Sequence, residues 1–179
     1  MHREAEQWLQ RQVYAAPELK GRRTIDIGGR NVNGSIKGIF QTDDWSALDH
    51  VDGKGVDIVG DLRDYVPTEP YDLVVCTEVA EHLEAEDLIR LVQTVWRCCS
   101  SIGVVLLTAA CDPRLPHTAT GKIIKGPWPD GEPYNNVDPE ELHRLSLRYF
   151  DAVKVEVDRN HGDVYMKASK PLGVREEQD

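Results

Sequence analysis

Apolar and polar positions change period several times along the chain, and each change marks an element. Ala5, Trp8, Leu9 and Val13 recur at helical spacing before Pro17, predicting an amphipathic helix over about residues 2–15. Four short apolar runs follow, each ending in a glycine or a carboxylate or leading into an acidic segment. They predict strands at Thr24–Gly28, Trp45–Asp49, Val56–Gly60 and Tyr71–Cys76, with a short helix near residues 33–40 that Asn33 would cap. The fourth run is continuously apolar after Asp72, the pattern of a strand covered on both faces. Leu88, Leu91, Val92, Val95 and Trp96 then form one stripe, predicting a helix from Glu84 to about Ser100 with acids in its first turn. A fifth strand is expected at Gly103–Ala109.

Residues 112–137 have no period and are rich in proline, glycine and asparagine, so they read as a long loop, functional or disordered. Asp138-Pro139-Glu140-Glu141 places a cap, a proline at N1 and a glutamate at N3, and starts a helix reaching about Tyr149. Ala152–Val157 and Asp163–Ala168 flank Asn160-His161-Gly162 and predict an antiparallel hairpin. The fold expected is α/β: a doubly wound, mostly parallel sheet of about seven strands, with an antiparallel C-terminal strand and helices on both faces. Residues 1–169 are expected to form one domain, and 170–179 a polar, mobile tail.

Bulk properties narrow the function classes. At 179 residues the chain is long enough for one core, and no apolar run approaches bilayer length. The first residues carry acids and no apolar segment, so no secretory signal is read there. Cys76, Cys98, Cys99 and Cys111 include no CxxC and read as reduced core thiols, implying a cytoplasmic protein. Net charge of −10 makes nucleic acid an unfavoured partner. Nothing in the sequence fixes an oligomeric state.

Asp26-Ile27-Gly28-Gly29, Asp49, Gly60-Asp61-Leu62 and the segment from Cys76 to His82 occur in an order and spacing that resemble class I S-adenosylmethionine-dependent methyltransferases. The likeness extends over roughly residues 24–169 and implies that methyl donor as cofactor. On it, Asp49, 23 positions beyond Asp26, accepts from the ribose diol, and Asp61 with the Leu62 backbone meets the adenine edge. Gly28 and Gly29 let the backbone approach the ligand, and Asp26 orients the turn or the methionine ammonium. Asn31, His50, Cys76 and Glu78 complete the expected cofactor set. Arg30 and Val32 stand where many members have glycine, so the loop takes a different path; Arg30 also breaks the dinucleotide fingerprint and disfavours a dehydrogenase.

Glu78, Glu81 and His82 are spaced to share one face if a helix starts near Thr77. With His117 from the later loop they are candidate ligands for a divalent metal ion, similar to metal-assisted RNA 2′-O-methyltransferases. Alternatively His82 or His117 acts as a general base without metal. Trp128, Tyr134 and Asn135 are candidates for an acceptor wall, or Trp128 only anchors the loop; Lys122 and Lys125 could meet an acidic acceptor. The leading expectation is methyl transfer to oxygen or nitrogen of a small molecule. Its alternatives are the RNA 2′-O-methyltransferase and a non-catalytic cofactor-binding or interaction domain.

Overall fold

A computed structural model describes residues 2–32, 34–117 and 133–173. Seven strands form one sheet: β1 Thr24–Ile27, β2 Trp45–Asp49, β3 Ile58–Val59, β4 Tyr71–Thr77, β5 Cys99–Ala110, β6 Phe150–Asp158 and β7 Asp163–Pro171. Their order is β3-β2-β1-β4-β5-β7-β6. β1, β2, β3, β4 and β5 pair in parallel, and β7 runs antiparallel between β5 and β6. The chain steps outward from β1 to β2 and β3, then returns to place β4 on the other flank of β1. That reversal opens a crevice beyond the carboxyl ends of β1 and β4, where open α/β sheets hold their ligands.

Side chains alternate between the two faces of the sheet and build two cores. Leu73 and Val75 of β4, with Leu106 and Tyr165, pack under α1 (Arg3–Ala15) and α2 (Lys37–Phe40). Ile25, Ile27, Val74, Cys76, Val105 and Leu107 face the opposite way, under α3 (Leu88–Cys98) and α4 (Pro139–Ser146). In α1, Ala5, Trp8, Leu9 and Val13 are buried, and Trp8 stacks on Tyr165 with ring centroids 5.2 Å apart. Trp8→Ala is expected to cost about 3–5 kcal/mol, read as a lower midpoint in urea unfolding.

Boundaries differ where local geometry intervenes. The helix expected from Glu84 opens instead with a 3-10 turn, Ala85–Asp87, and becomes α-helical at Leu88. It ends at Cys98 because Cys99 already pairs with Tyr71 in β5. β3 is confined to Ile58–Val59, and α2 begins at Lys37; the expected Asn33 cap lies outside the described residues. Asp138 caps α4 as expected, accepting from Glu140 N and Glu141 N, although the α-helix stops at Ser146. β7 continues to Pro171, so residues 170 and 171 belong to the sheet rather than to a tail. All four cysteines are buried free thiols. No helix among the described residues is long and apolar enough to cross a membrane.

Candidate active site

The carboxyl ends of β1, β2 and β4 border a cavity of about 530 Å³. Asp26, Gly28, Gly29, Asp49, His50, Asp61, Leu62, Glu78, His82 and His117 all line it. Asn31, Cys76 and Glu81 of the expected set do not. Asn31 instead turns its side chain onto Gly34 N at 3.0 Å, shaping the loop, and Cys76 is fully buried in the core beneath α3.

Asp49 ends β2 with its carboxylate 9% exposed. Val51 N donates to Oδ1 at 3.0 Å, Arg30 N donates to Oδ2 at 3.3 Å, and His50 Nδ1 lies 3.3 Å from Oδ1. Each oxygen holds one backbone N–H, which leaves Oδ2 a lone pair for a donor from the cavity and Oδ1 one that His50 Nδ1 also approaches. The turn after β1 is tied to the same strand, with Gly28 N and Gly29 N both donating to Leu48 O, at 2.8 and 3.1 Å.

The fold gives the two glycines a requirement of its own. Gly28 sits at φ +79°, and a Cβ there would overlap the Val79 side chain. A Cβ on Gly29 would stand 2.7 Å from Ala47 Cβ and 2.9 Å from Asp26 O. The crowding comes from the protein itself, from β2 and from the segment that follows β4. Gly28→Ala is therefore expected to destabilise the fold itself, by about 2 kcal/mol or more, seen as a lower denaturant midpoint without ligand.

Asp26 is buried on the α1 and α2 face, and its Oδ1 has no hydrogen-bond partner. Burial, with the charge of Asp49 adding to it, pushes its pKa up to about 7. Asp61 is the opposite case. Arg63 donates through Nε and a terminal nitrogen to both of its oxygens, at 2.9, 3.0 and 2.5 Å, and holds its pKa down at about 2. Arg63 also reaches Asp87 Oδ2 at 3.0 Å, bracing the β3 end of the cavity against the start of α3. Leu62 O accepts from Thr94 Oγ1 at 2.7 Å, fixing that residue's backbone.

The Glu78-Val79-Ala80-Glu81-His82 segment does not form the helix that would align its acids. Glu78 takes a left-handed backbone, φ +56°, and a 3-10 turn covers only Ala80–His82. The three side chains diverge. Glu78 points to the cavity, where Thr108 Oγ1 donates to Oε1 at 2.8 Å and His2 Nδ1 forms an ion pair with Oε2 at 2.5 Å. Glu81 is fully buried. Desolvation and the neighbouring Glu78 charge push its carboxyl well up; the Glu81 and Ala110 backbone N–H groups oppose this without reaching hydrogen-bond geometry. His82 lines the cavity, its ring centroid 6.2 Å from that of His117 and 5.5 Å from that of Tyr134.

His117 is the expected residue most altered by its surroundings. Its Nδ1 lies 3.1 Å from Leu115 O and 3.2 Å from Tyr134 Oη, and its Nε2 lies 2.9 Å from His2 Nε2. Burial lowers its pKa, whereas His2 is raised to about 9: burial opposes its charge, but Asp163 and Glu78 outweigh it. Glu78 is lowered in turn, with burial overcome by His2 and Thr108. Asp163, completely buried, stands 3.3 Å from His2 Nδ1 and takes Arg114 at 2.7 Å on its other oxygen. Among the described residues, His2, Glu78 and His117 bring donor atoms within 4.8 Å of one another. Of the expected metal ligands, Glu78 and His117 fall in this cluster with His2, and Glu81 and His82 do not.

His2 was not legible as a site residue, since nothing local links a helix-capping position to a motif 76 positions later. Arg63, Thr108 and Asp163 were missed likewise. Of the long loop, Trp128, Lys122 and Lys125 lie outside the described residues. Tyr134 is buried against His117, and Asn135 is committed to the fold, Nδ2 donating to Leu83 O at 3.0 Å and N to Glu81 O at 2.7 Å.

The fold is that of S-adenosylmethionine-dependent methyltransferases. The chain is similar to the 1,6-didemethyltoxoflavin-N1-methyltransferase of Burkholderia thailandensis, at TM-score 0.65 and 15% identity over 93% of this chain and 78% of that one. That protein was solved with 1,6-didemethyltoxoflavin and S-adenosylhomocysteine bound. A methyltransferase of this kind from Archaeoglobus fulgidus gives TM-score 0.62 and 18% identity, covering 92% and 94% of the two chains. One from Clostridium acetobutylicum gives 0.65 and 9%, covering 94% and 92%. No family model and no curated protein matches the sequence.

Proposed function

We propose that the protein transfers the methyl group of S-adenosylmethionine to an oxygen or nitrogen of a small-molecule acceptor. The observation that carries this reading is the position of Asp49: a carboxylate at the end of β2, beside the Gly28–Gly29 turn, with spare lone pairs on the cavity. A ribose diol needs two acceptors in that place. Asp61, ionised and braced by Arg63, accepts from the adenine amino group, and the Leu62 backbone lies along the same edge. The unpartnered Oδ1 of Asp26 suits the ammonium of the methionine end, a cation that would satisfy a buried acceptor otherwise left without a bond.

The cofactor, when bound, supplies an electrophilic methyl on its sulfonium sulfur. What this chain contributes is position and surroundings. His2, Glu78, His82 and His117 collect on the cavity wall away from Asp61 and mark the acceptor end. The acids around the cavity and the net charge of −10 favour a cationic cofactor and a neutral or cationic acceptor over a polyanion such as RNA. Calorimetry with S-adenosylhomocysteine tests the cofactor half of the reading, and a screen of acceptors with labelled methyl donor tests the other. Failure to bind S-adenosylhomocysteine would remove the proposal entirely.

A further inference from the structure

His2 and His117 present their Nε2 atoms to each other across 2.9 Å. Two imidazole lone pairs repel at that distance, so something positive must lie between them: a proton or a metal ion. The rest of each ring is already arranged as metal-bound histidines are. His117 Nδ1 faces the Leu115 carbonyl at 3.1 Å, and His2 Nδ1 faces two carboxylates, Glu78 at 2.5 Å and Asp163 at 3.3 Å. Partners of this kind on the far nitrogen fix the tautomer and leave Nε2 as the ligating atom.

We propose that His2, His117 and Glu78 form a site for a divalent ion of the zinc and cobalt class, with the remaining coordination positions open to the cavity. The donor set decides the class. Two imidazoles and one carboxylate suit Zn²⁺ or Co²⁺, whereas Mg²⁺ and Ca²⁺ require mainly oxygen ligands. The presence of two carboxylates beside His2 makes the arrangement self-consistent. To reach the ion Glu78 would give up the contact of Oε2 with His2 Nδ1, while Asp163, buried and locked by Arg114 at 2.7 Å, keeps hold of the His2 ring. The ion would also join α1 to the loops after β4 and β5, since its ligands come from all three.

This site rests on the methyl-transfer reading only for its use, which is to receive a hydroxyl or amine of the acceptor; ion binding is measurable without any cofactor. The test is titration of chelator-stripped full-length protein with Co²⁺, followed by its visible absorption, and with Zn²⁺ in a calorimeter. One ion per chain is expected, with Mg²⁺ unable to compete. His2→Ala and His117→Ala should each weaken Co²⁺ binding by roughly 100-fold or more, and His161→Ala, far out on the β6–β7 turn, should leave it unchanged. Circular dichroism and S-adenosylhomocysteine binding of each variant report whether it is folded. Absence of the Co²⁺ bands, or a folded His2→Ala protein that binds Co²⁺ as tightly as the parent, would show that a proton alone bridges the two rings and would overturn the site. Failure of S-adenosylhomocysteine to bind, with Co²⁺ uptake intact, would strike the function instead.

Discussion

Asp49→Ala is expected to weaken S-adenosylhomocysteine binding by roughly 100-fold or more, because hydrogen bonds to a charged group contribute about 1.5–3 kcal/mol each and the diol makes two. The side chain also accepts from Arg30 N and Val51 N, so its removal loosens the turn that carries Gly28 and Gly29. Asp49→Asn separates the two effects. One amide oxygen can still accept a single bond, and the variant should fall between the parent and the alanine protein in calorimetry. Binding indifferent to Asp49→Ala would mean that the adenosine is held elsewhere.

Asp26 should impose a pH dependence on both stability and affinity. Its folded pKa, about 7, lies above the ordinary 3.8, so the folded state keeps its proton longer than the unfolded chain does. The stabilisation from that carboxyl is complete below pH 3.8 and is lost as pH rises to about 7. At ~1.4 kcal/mol per pH unit the loss is worth about 4 kcal/mol. Asp26→Asn should remove this slope, so its unfolding free energy changes less than the parent's between pH 4 and about 7. Cofactor binding runs the other way. A ligand ammonium beside Oδ1 favours the ionised carboxylate, so affinity should rise with pH up to about 7, approaching tenfold per pH unit below it, and level off above. Calorimetry at pH 6 and 8 checks this; a parent as flat as Asp26→Asn would place the ammonium away from Asp26.

What the sequence made legible follows the range of the interactions involved. β1, β2 and β4 were readable because their apolar runs are set by burial on both faces, and α4 because Asp138, Pro139 and Glu141 act within one turn. That Asp26, Asp49 and Asp61 line one cavity was readable for a similar reason: they sit near the carboxyl ends of strands, and strand ends can be counted. The opposite wall was not. The spacing of Glu78, Glu81 and His82 suggested a shared helical face, but the left-handed backbone at Glu78 sends Glu81 into the core. The crowding of Gly28 and Gly29 by Val79 and Ala47 had no signal in the sequence, because only folding brings those side chains close. His2 belongs to a segment that the sequence marks only by its helical spacing.

The ion pairs of His2 with Glu78 and with Asp163 draw on the first turn of the chain, the middle of the sheet and its last strand. Contacts between residues so distant in sequence carry a high loop-closure cost and tend to form late in folding. A chain still lacking β7 would leave His2 with Glu78 alone of its two carboxylates. On the proposed function, methyl transfer would then trail behind cofactor affinity during refolding, because this end of the cavity is completed only with the sheet.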